Sequence, residues 1–181
     1  MRIVQVTPGS GDNFYCENCI RDITISKELR RQGVDVVMVP LYLPPRLDVG
    51  DTTRGVPVFF GGINVYLQQK FGLFRRTPGW VDRWFNAPGL LNWAAKKAGM
   101  TTARELGETT VSMLRGEQGR QAKELQKLLD WLKEYSTDIL CLSNILLAGL
   151  AGLIREQLKI PVVCLLQDED GFLDSLPEPL R

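Results

Sequence analysis

The opening of the chain alternates between apolar and helix-forming segments. Residues 3–6 are mostly β-branched, residues 7–11 read Thr-Pro-Gly-Ser-Gly, and residues 19–31 carry helix formers up to Gly33. A second apolar run follows at 34–39. A strand, a turn, a helix and a strand at this spacing predict a βαβ unit whose two strands lie parallel. The pattern favours a doubly wound α/β domain, in which ligands bind at the carboxyl ends of the strands.

The middle of the chain is less regular. Two short β runs, 56–60 and 63–67, flank a Gly-Gly pair and predict a hairpin. From about residue 68 to 119, Pro-Gly pairs interrupt helical patterns, and we expect about three or four short helices there. This segment is too irregular for one βαβ crossover, so it is predicted to be a helical insertion beside the mouth of a mostly parallel, Rossmann-like sheet. Apolar residues at helical spacing then predict an amphipathic helix over 118–135.

A second βαβ unit follows that helix. Residues 139–142 predict a strand, Ser143 and Asn144 are typical helix N-caps, and residues 145–159 predict an apolar helix. Residues 160–166 predict a further buried strand, with a proline near its start where the missing N–H is tolerated. The second half of the chain therefore has the same predicted order of strand, helix and strand as the first.

The apolar helix and the end of the chain each add an expectation. Gly149 and Gly152 permit close backbone approach, so we expect this helix to be buried on more than one side. After the last strand the chain enters a loop at 167–173, without the helix that usually covers the last strand of such a domain. We therefore expect residues 1–181 to be a single Rossmann-like domain of a longer protein.

Composition removes several classes of function. The chain has 22 Lys and Arg against 21 Asp and Glu, so its net charge of +1 implies no attraction to nucleic acid. It has no histidine, which excludes Ser-His-Asp and Cys-His catalysis and any His-ligated metal.

The longest apolar stretch, 139–154, is too short for a bilayer core of about 30 Å, and we expect a soluble, cytoplasmic protein. Aromatic residues among arginines over 71–85 predict either an aromatic core or peripheral membrane contact.

The turn after the first strand is the first candidate site. Its glycines could let backbone N–H groups approach an anion at the helix N-terminus, although the turn is neither a dinucleotide fingerprint nor a P-loop. The two polar residues that follow could bond sugar hydroxyls, and a plain connecting turn is the alternative. The candidate substrate-binding residues are Gly9, Ser10, Gly11, Asp12 and Asn13.

Cys16 and Cys19 form a C-x-x-C motif at the start of a helix. This arrangement is typical of thiol–disulfide oxidoreductases, although acidic neighbours oppose a stabilised thiolate, and structural cysteines are the alternative. Zinc would need a second ligand pair, and Cys141 and Cys164 lie on predicted buried strands without such spacing. We therefore predict no metal site.

Three consecutive carboxylates follow the last predicted strand. Asp168 and Glu169 are the possible catalytic residues, and Asp170 is a candidate for substrate binding. Ser143 and Asn144, which follow the preceding strand, are further candidates for substrate binding. Such a group could bind hydroxyls or support charge across a cleft, and a solvated loop is the alternative.

The order of these segments resembles a known family. Residues 1–6, the glycine turn, the helix ending at 29–33 and the run 34–40 look like the start of GT-B glycosyltransferases of the family-4 type, often called group 1 and related to glycogen and sucrose synthases. Residues 138–144, the apolar helix and residues 159–164 are similar to the last N-terminal-domain βαβ unit of that family. The resemblance covers both ends of the chain and leaves out the middle.

The resemblance implies the acceptor-side domain of a retaining, two-domain enzyme. Gly9 and Gly11 would face the interdomain cleft near the phosphates of a nucleotide-sugar donor, and no cofactor would be bound permanently. The partners would be an absent C-terminal donor-binding domain and a carbohydrate or other hydroxyl acceptor, so this domain alone would be inactive.

One position departs from the family. Many relatives carry a histidine near the transferred sugar in the loop after the last strand, where this chain reads Gln167-Asp168-Glu169. In retaining chemistry of this kind the acceptor proton can pass to the leaving phosphate, so no base is required on this domain. A small thiol redox protein using Cys16 and Cys19, or a non-enzymatic nucleotide-binding module, are the alternative functions.

Overall fold

The computed structural model describes residues 1–8, 17–42, 56, 59–60, 68, 72, 103–167 and 169–178. The predicted hairpin over 56–67 falls mostly outside these residues, as does the aromatic and arginine-rich segment 71–85 apart from Gly72. The irregular insertion is described chiefly from residue 103 onward, where it is helical. That residues 1–181 make one domain stays a prediction.

Four strands form one parallel sheet in the described part of the chain. They are β1 (Arg2–Thr7), β2 (Asp35–Pro40), β3 (Ile139–Leu142) and β4 (Val162–Cys164). Their order across the sheet is β2-β1-β3-β4. In register, Val4 lies beside Val37 on one side and Leu140 on the other, and Leu142 lies beside Cys164. The predicted parallel, Rossmann-like α/β fold is confirmed.

Five α-helices accompany the sheet within the described residues. They are α1 (Glu17–Arg31), α2 (Ala103–Leu114), α3 (Ala122–Glu134), α4 (Ala151–Leu158) and α5 (Glu169–Asp174), with 3₁₀ turns at Gly116–Gln118 and Ile145–Leu150. The end of α1 is a Schellman motif: Gly33 adopts φ of 84°, its N–H donates to Arg30 O, and the N–H of Val34 donates to Leu29 O. None of the helices described here is long and apolar enough to cross a membrane.

The two faces of the sheet differ in chemistry. The steps from β1 to β2 and from β3 to β4 run in opposite directions, so right-handed crossovers place α1 and α4 on opposite faces. The face covered by α3 and α4 holds the main apolar core. Its members include Val4, Val6, Val39, Leu125, Leu128, Leu129, Leu132, Leu140, Leu142 and Ile154. On the α1 face, Ile23 packs on Met38, while Gln5 and Thr7 are buried polar residues.

The spacing of the apolar residues in α3 explains why this segment is helical. Leu125, Leu128 and Leu132 repeat at helical spacing and are at most 1% exposed. Burying each leucine stabilises the fold by about 1.5–3 kcal/mol relative to exposure. The opposite side is polar, and the Gln126 amide donates to the Asp130 carboxylate at 3.0 Å. The amphipathic pattern therefore determines which side of α3 faces the sheet.

Two predicted helices have different bounds in the structure. The helix expected over 118–135 begins at Ala122, because a separate 3₁₀ turn precedes it. The single helix expected over 145–159 is a 3₁₀ turn followed by α4. The close approach predicted for Gly149 is confirmed, since a Cβ there would overlap the carbonyl oxygen of Met113, but for Gly152 it was wrong because nothing lies within 4 Å.

The last predicted strand and loop also need correction. The strand expected over 160–166 is confined to Val162–Cys164, and Val163 is 47% exposed rather than buried. Of the described strands, only β3 pairs with it, so one of its edges lacks a strand neighbour among them. The loop expected over 167–173 contains α5, whose first residue, Glu169, is buried.

Candidate functional site

The carboxyl ends of β1 and β3 meet at the centre of the sheet. From this point the chain order runs outward to β2 on one side and to β4 on the other. Such a reversal is a topological switch point, where open α/β sheets bind ligands. Thr7 ends β1, and Ser143 follows β3 with its N–H donating to Val6 O at 3.0 Å. These two residues therefore mark the place where fold geometry predicts a site.

Helix α1 brings polar side chains over this point. Asp22 and Ser26 are four residues apart on one side of the helix, and Gln5 and Thr7 are two apart on one face of β1. The Ser26 hydroxyl donates to Gln5 Oε1 at 2.6 Å. Both helix residues are fully buried. The two periodicities thus align a polar row of the helix with a polar row of the strand.

Asp22 is the central carboxylate of this polar row. Arg21 donates to its Oδ1, from Nη2 at 2.9 Å and from Nε at 3.3 Å. Burial raises the pKa of Asp22, while Arg21 and the nearby hydroxyls of Ser143 and Thr7 partly oppose the rise. The side chain of Arg21 stays 33% exposed, so the pair joins the interior to the surface of the site.

The backbone carbonyl of Ser143 is the junction of three elements. It accepts a hydrogen bond from Arg21 Nη2 at 2.9 Å and another from Gln167 Nε2 at 3.0 Å. The backbone N–H of Gln167 donates to Glu169 Oε2 at 2.7 Å. These bonds tie α1, the turn after β3 and the segment after β4 into one network.

Several buried polar atoms at this network have no hydrogen-bond partner among the described residues. They are Thr7 Oγ1, Asp22 Oδ2, Ser143 Oγ, Asn144 Oδ1 and Glu169 Oε1. The hydroxyls of Thr7 and Ser143 lie close enough to Asp22 to lower its pKa, yet neither forms a bond of normal geometry with it. Buried polar groups in native proteins are almost always satisfied, so these atoms need partners that the described residues do not supply.

Asn144 does not play the capping role expected of it. Its backbone is extended, with φ of −158° and ψ of 166°, at the N-cap position of the 3₁₀ turn. Its side chain nevertheless makes no capping bond to any residue that the structure describes. The turn is closed instead by the backbone, with Leu147 N–H donating to Asn144 O at 3.3 Å. The amide is therefore not needed for the local structure.

The structure brings together three of the predicted site residues. Ser143 and Glu169 take part in the network, Asn144 follows Ser143 in the chain, and Asp170 is exposed next to Glu169 at the start of α5. The remaining candidates lie outside the described residues. They are Gly9, Ser10, Gly11, Asp12, Asn13 and Asp168.

Four site residues were missed by the sequence analysis. They are Thr7, Arg21, Asp22 and Gln167. A signal was present for one of them, because Asp22 and Ser26 repeat at helical spacing on the helix that follows the first strand.

The cysteines give no support to metal or thiol chemistry where they are described. Cys16 and the side chain of Cys19 are outside the described residues, so their predicted redox role stays a prediction. Burial raises the pKa of Cys141 to about 11, helped by the charge of Asp22, and burial also raises the pKa of Cys164. The described part of the chain contains no group of three or more His, Cys, Asp or Glu that could hold a metal ion.

Chemically, the site is a set of planar and hydroxyl groups suited to binding. A guanidinium, carboxylates and amides, together with two hydroxyls, provide donors and acceptors for a hydroxyl-bearing ligand.

Comparison with known proteins adds no relative: no family model, no curated protein and no solved structure matches the chain.

Proposed function

We propose that the chain is the acceptor-side domain of a retaining glycosyltransferase with the GT-B fold, of the family-4 type. The observation that carries this proposal is the convergence of Arg21 and Gln167 on the Ser143 carbonyl at the switch point of a parallel sheet. A two-domain transferase would have its cleft at this edge, because ligands bind outside the carboxyl ends of the strands. The order of segments along the chain supports the family.

The residues divide into two roles in this proposal. Ser143, Asn144 and Glu169 contact the acceptor, while Gly9 and Gly11 approach the phosphates of a nucleotide-sugar donor held mainly by a C-terminal domain. The donor is a substrate, and no permanent cofactor is required. We place the reaction in the cytoplasm.

The chemistry needs no base from this domain. The acceptor oxygen forms a bond to the anomeric carbon, the bond from that carbon to the leaving phosphate oxygen breaks, and the acceptor proton passes to that phosphate. This route suits a chain without histidine. It also suits a site in which Asp22 is fully buried and already paired with Arg21. The work of the domain is to orient the acceptor hydroxyl.

The test compares three proteins for sugar transfer and donor hydrolysis with a panel of nucleotide sugars. They are the full-length gene product, the 181-residue chain, and the longer protein carrying Cys16→Ser and Cys19→Ser. Activity only in the longer protein, retained without both thiols, supports the proposal. Thiol-dependent activity in the short chain, or no transfer by the long protein from any donor, would overturn it in favour of redox or simple binding functions.

A further inference from the structure

The charged residues at the network restrict the charge that a ligand bound there can have. Arg21 is compensated by Asp22, whose carboxylate lies 2.9 Å from the guanidinium. Glu169 is buried beside Gln167, and Asp170 is exposed on the same first turn of α5. Among the residues at the network that the structure describes, these two carboxylates outnumber Arg21 even with Asp22 protonated. A phosphate or carboxylate placed here would be repelled, whereas an uncharged ligand would not.

Two of the buried atoms without a partner are an amide oxygen and a carboxylate oxygen, which accept hydrogen bonds. Asn144 Oδ1 and Glu169 Oε1 receive no bond from any described residue. Both residues keep a little exposed surface, 7% and 8% respectively, whereas Asp22 is fully buried. The terminal torsion of Asn is soft, so a modest rotation presents the Asn144 oxygen to a ligand, whereas the Glu169 carboxylate keeps its orientation because its other oxygen accepts from the Gln167 N–H. Two acceptors in this position need a ligand that donates.

We propose that Asn144 and Glu169 bind hydroxyl groups of an uncharged carbohydrate acceptor, and that the site discriminates against an acceptor carrying phosphate or carboxylate at this position. The inference rests on the proposed function, and it narrows the acceptor from any hydroxyl compound to a neutral one. Asn144 is free for this task because the turn it precedes is closed by backbone bonds alone. Glu169 supplies one oxygen, since its other oxygen holds Gln167 in place.

Two variants separate the charge from the hydrogen bond. Asn144→Ala removes a hydrogen-bond acceptor without changing charge, and we expect the KM for the acceptor sugar to rise about 3- to 10-fold, the loss typical of one hydrogen bond. Glu169→Gln removes one negative charge and keeps the size of the side chain, so phosphorylated acceptors should gain relative to neutral ones. Glu156→Gln is the matched control, because Glu156 is an exposed carboxylate on α4.

The probes are methyl glucoside, glucose 6-phosphate and glucuronate, with the corresponding mannose and galactose compounds. Transfer is measured with the full-length gene product, and direct binding to the 181-residue chain is measured by saturation-transfer NMR. Circular dichroism confirms that each variant is folded. We expect neutral sugars to be the better ligands in both assays, and only Glu169→Gln to shift the preference toward the phosphates.

The outcomes distinguish this inference from the proposed function. Transfer to sugar phosphates or uronates as efficient as to neutral sugars would overturn the inference and leave the glycosyltransferase standing. Absence of transfer to every acceptor, with neutral sugars still preferred in binding, would overturn the function and support the site. A failure of the neutral sugars in both assays, or equal shifts in Glu156→Gln and Glu169→Gln, would refute the inference.

Discussion

Gly149 lies where one backbone crosses another, and its replacement by alanine tests the packing of the fold. A Cβ at this position would overlap the carbonyl oxygens of Met113 and Leu114 and the amide nitrogen of Gly116. All three are backbone atoms, so no side-chain rotation can relieve the overlap. The 3₁₀ turn or the end of α2 has to move instead.

The size of the effect follows from two opposing contributions. Overpacking a well-filled site costs about 1–3 kcal/mol, and more where the backbone itself has to shift. Alanine also reduces the entropy of the unfolded chain, which returns about 0.4–1 kcal/mol. We therefore expect Gly149→Ala to lower the free energy of unfolding by about 2 kcal/mol, which for a domain of this size is a fall in Tm of about 4–8 °C.

Gly152→Ala provides the matched control. It lies three residues further along, within α4, and a Cβ there meets nothing within 4 Å. The same substitution should raise stability by up to about 1 kcal/mol, because alanine is the better helix former. Urea unfolding followed by circular dichroism measures both changes. Equal effects of the two substitutions, or a neutral Gly149→Ala, would refute the crossing described here.

Three further predictions test the core and the site. Burial raises the pKa of Asp22 in the folded state above its usual 3.8, so the folded chain holds this proton more tightly than the unfolded chain, and stability should fall as pH rises above about 4. Asp22→Asn should remove this pH dependence. The same pH dependence of the free energy of urea unfolding in both proteins would contradict the prediction. Leu128→Ala should cost about 2–5 kcal/mol in urea unfolding, and the exposed Gln126→Ala almost nothing. Burial raises the pKa of the half-buried Cys141 to about 11, so this thiol should react with iodoacetamide at pH 8 far more slowly than a free cysteine. Mass spectrometry measures the rate, and a rate equal to that of free cysteine would refute the raised pKa.

Much of the sheet follows from local patterns. The opening strand, α1 and β2 were expected from a β-branched run, a helix-forming segment and a second apolar run, and the observed bounds of β2 differ by one residue. The amphipathic spacing of Leu125, Leu128 and Leu132 likewise identified α3 and its buried side. These elements are recoverable because each depends on the period of residues close together in the chain.

The predictions that were wrong concern segments whose backbone conformation depends on contacts with residues distant in the sequence. Residues 169–174 carry three carboxylates and a glycine, a composition typical of a loop, yet they form α5 with Glu169 buried. The segment before α5 is held by the Gln167 amide, which donates to the Ser143 carbonyl 24 residues earlier in the chain. In the same way, the 3₁₀ turn before α4 is packed against the backbone at Met113, a contact that no local pattern encodes.

Only some residues of the candidate site could be predicted from the sequence. Ser143, Asn144 and Glu169 were expected because they follow strands, and strand ends are where such folds bind ligands. Arg21 and Gln167 were not, since nothing in their own segments indicates that both donate to one carbonyl. Arg21 and Ser143 are 122 residues apart in sequence, and only the strand order brings them together.

The sequence by itself determined the fold class and the positions of β1, β2 and β3, and it indicated the carboxyl ends of the strands as the place for a site. Those properties depend on hydrophobic periodicity and on the handedness of βαβ units, which act over one or two elements at a time. The tertiary structure decided which polar side chains meet there. Asp22 becomes a buried partner of Arg21 only when α1 lies across β1 and β3, and Asn144 has an unpartnered amide oxygen only because the turn closes without it. Such contacts join segments far apart in the chain, so their geometry exists only once the whole sheet has formed.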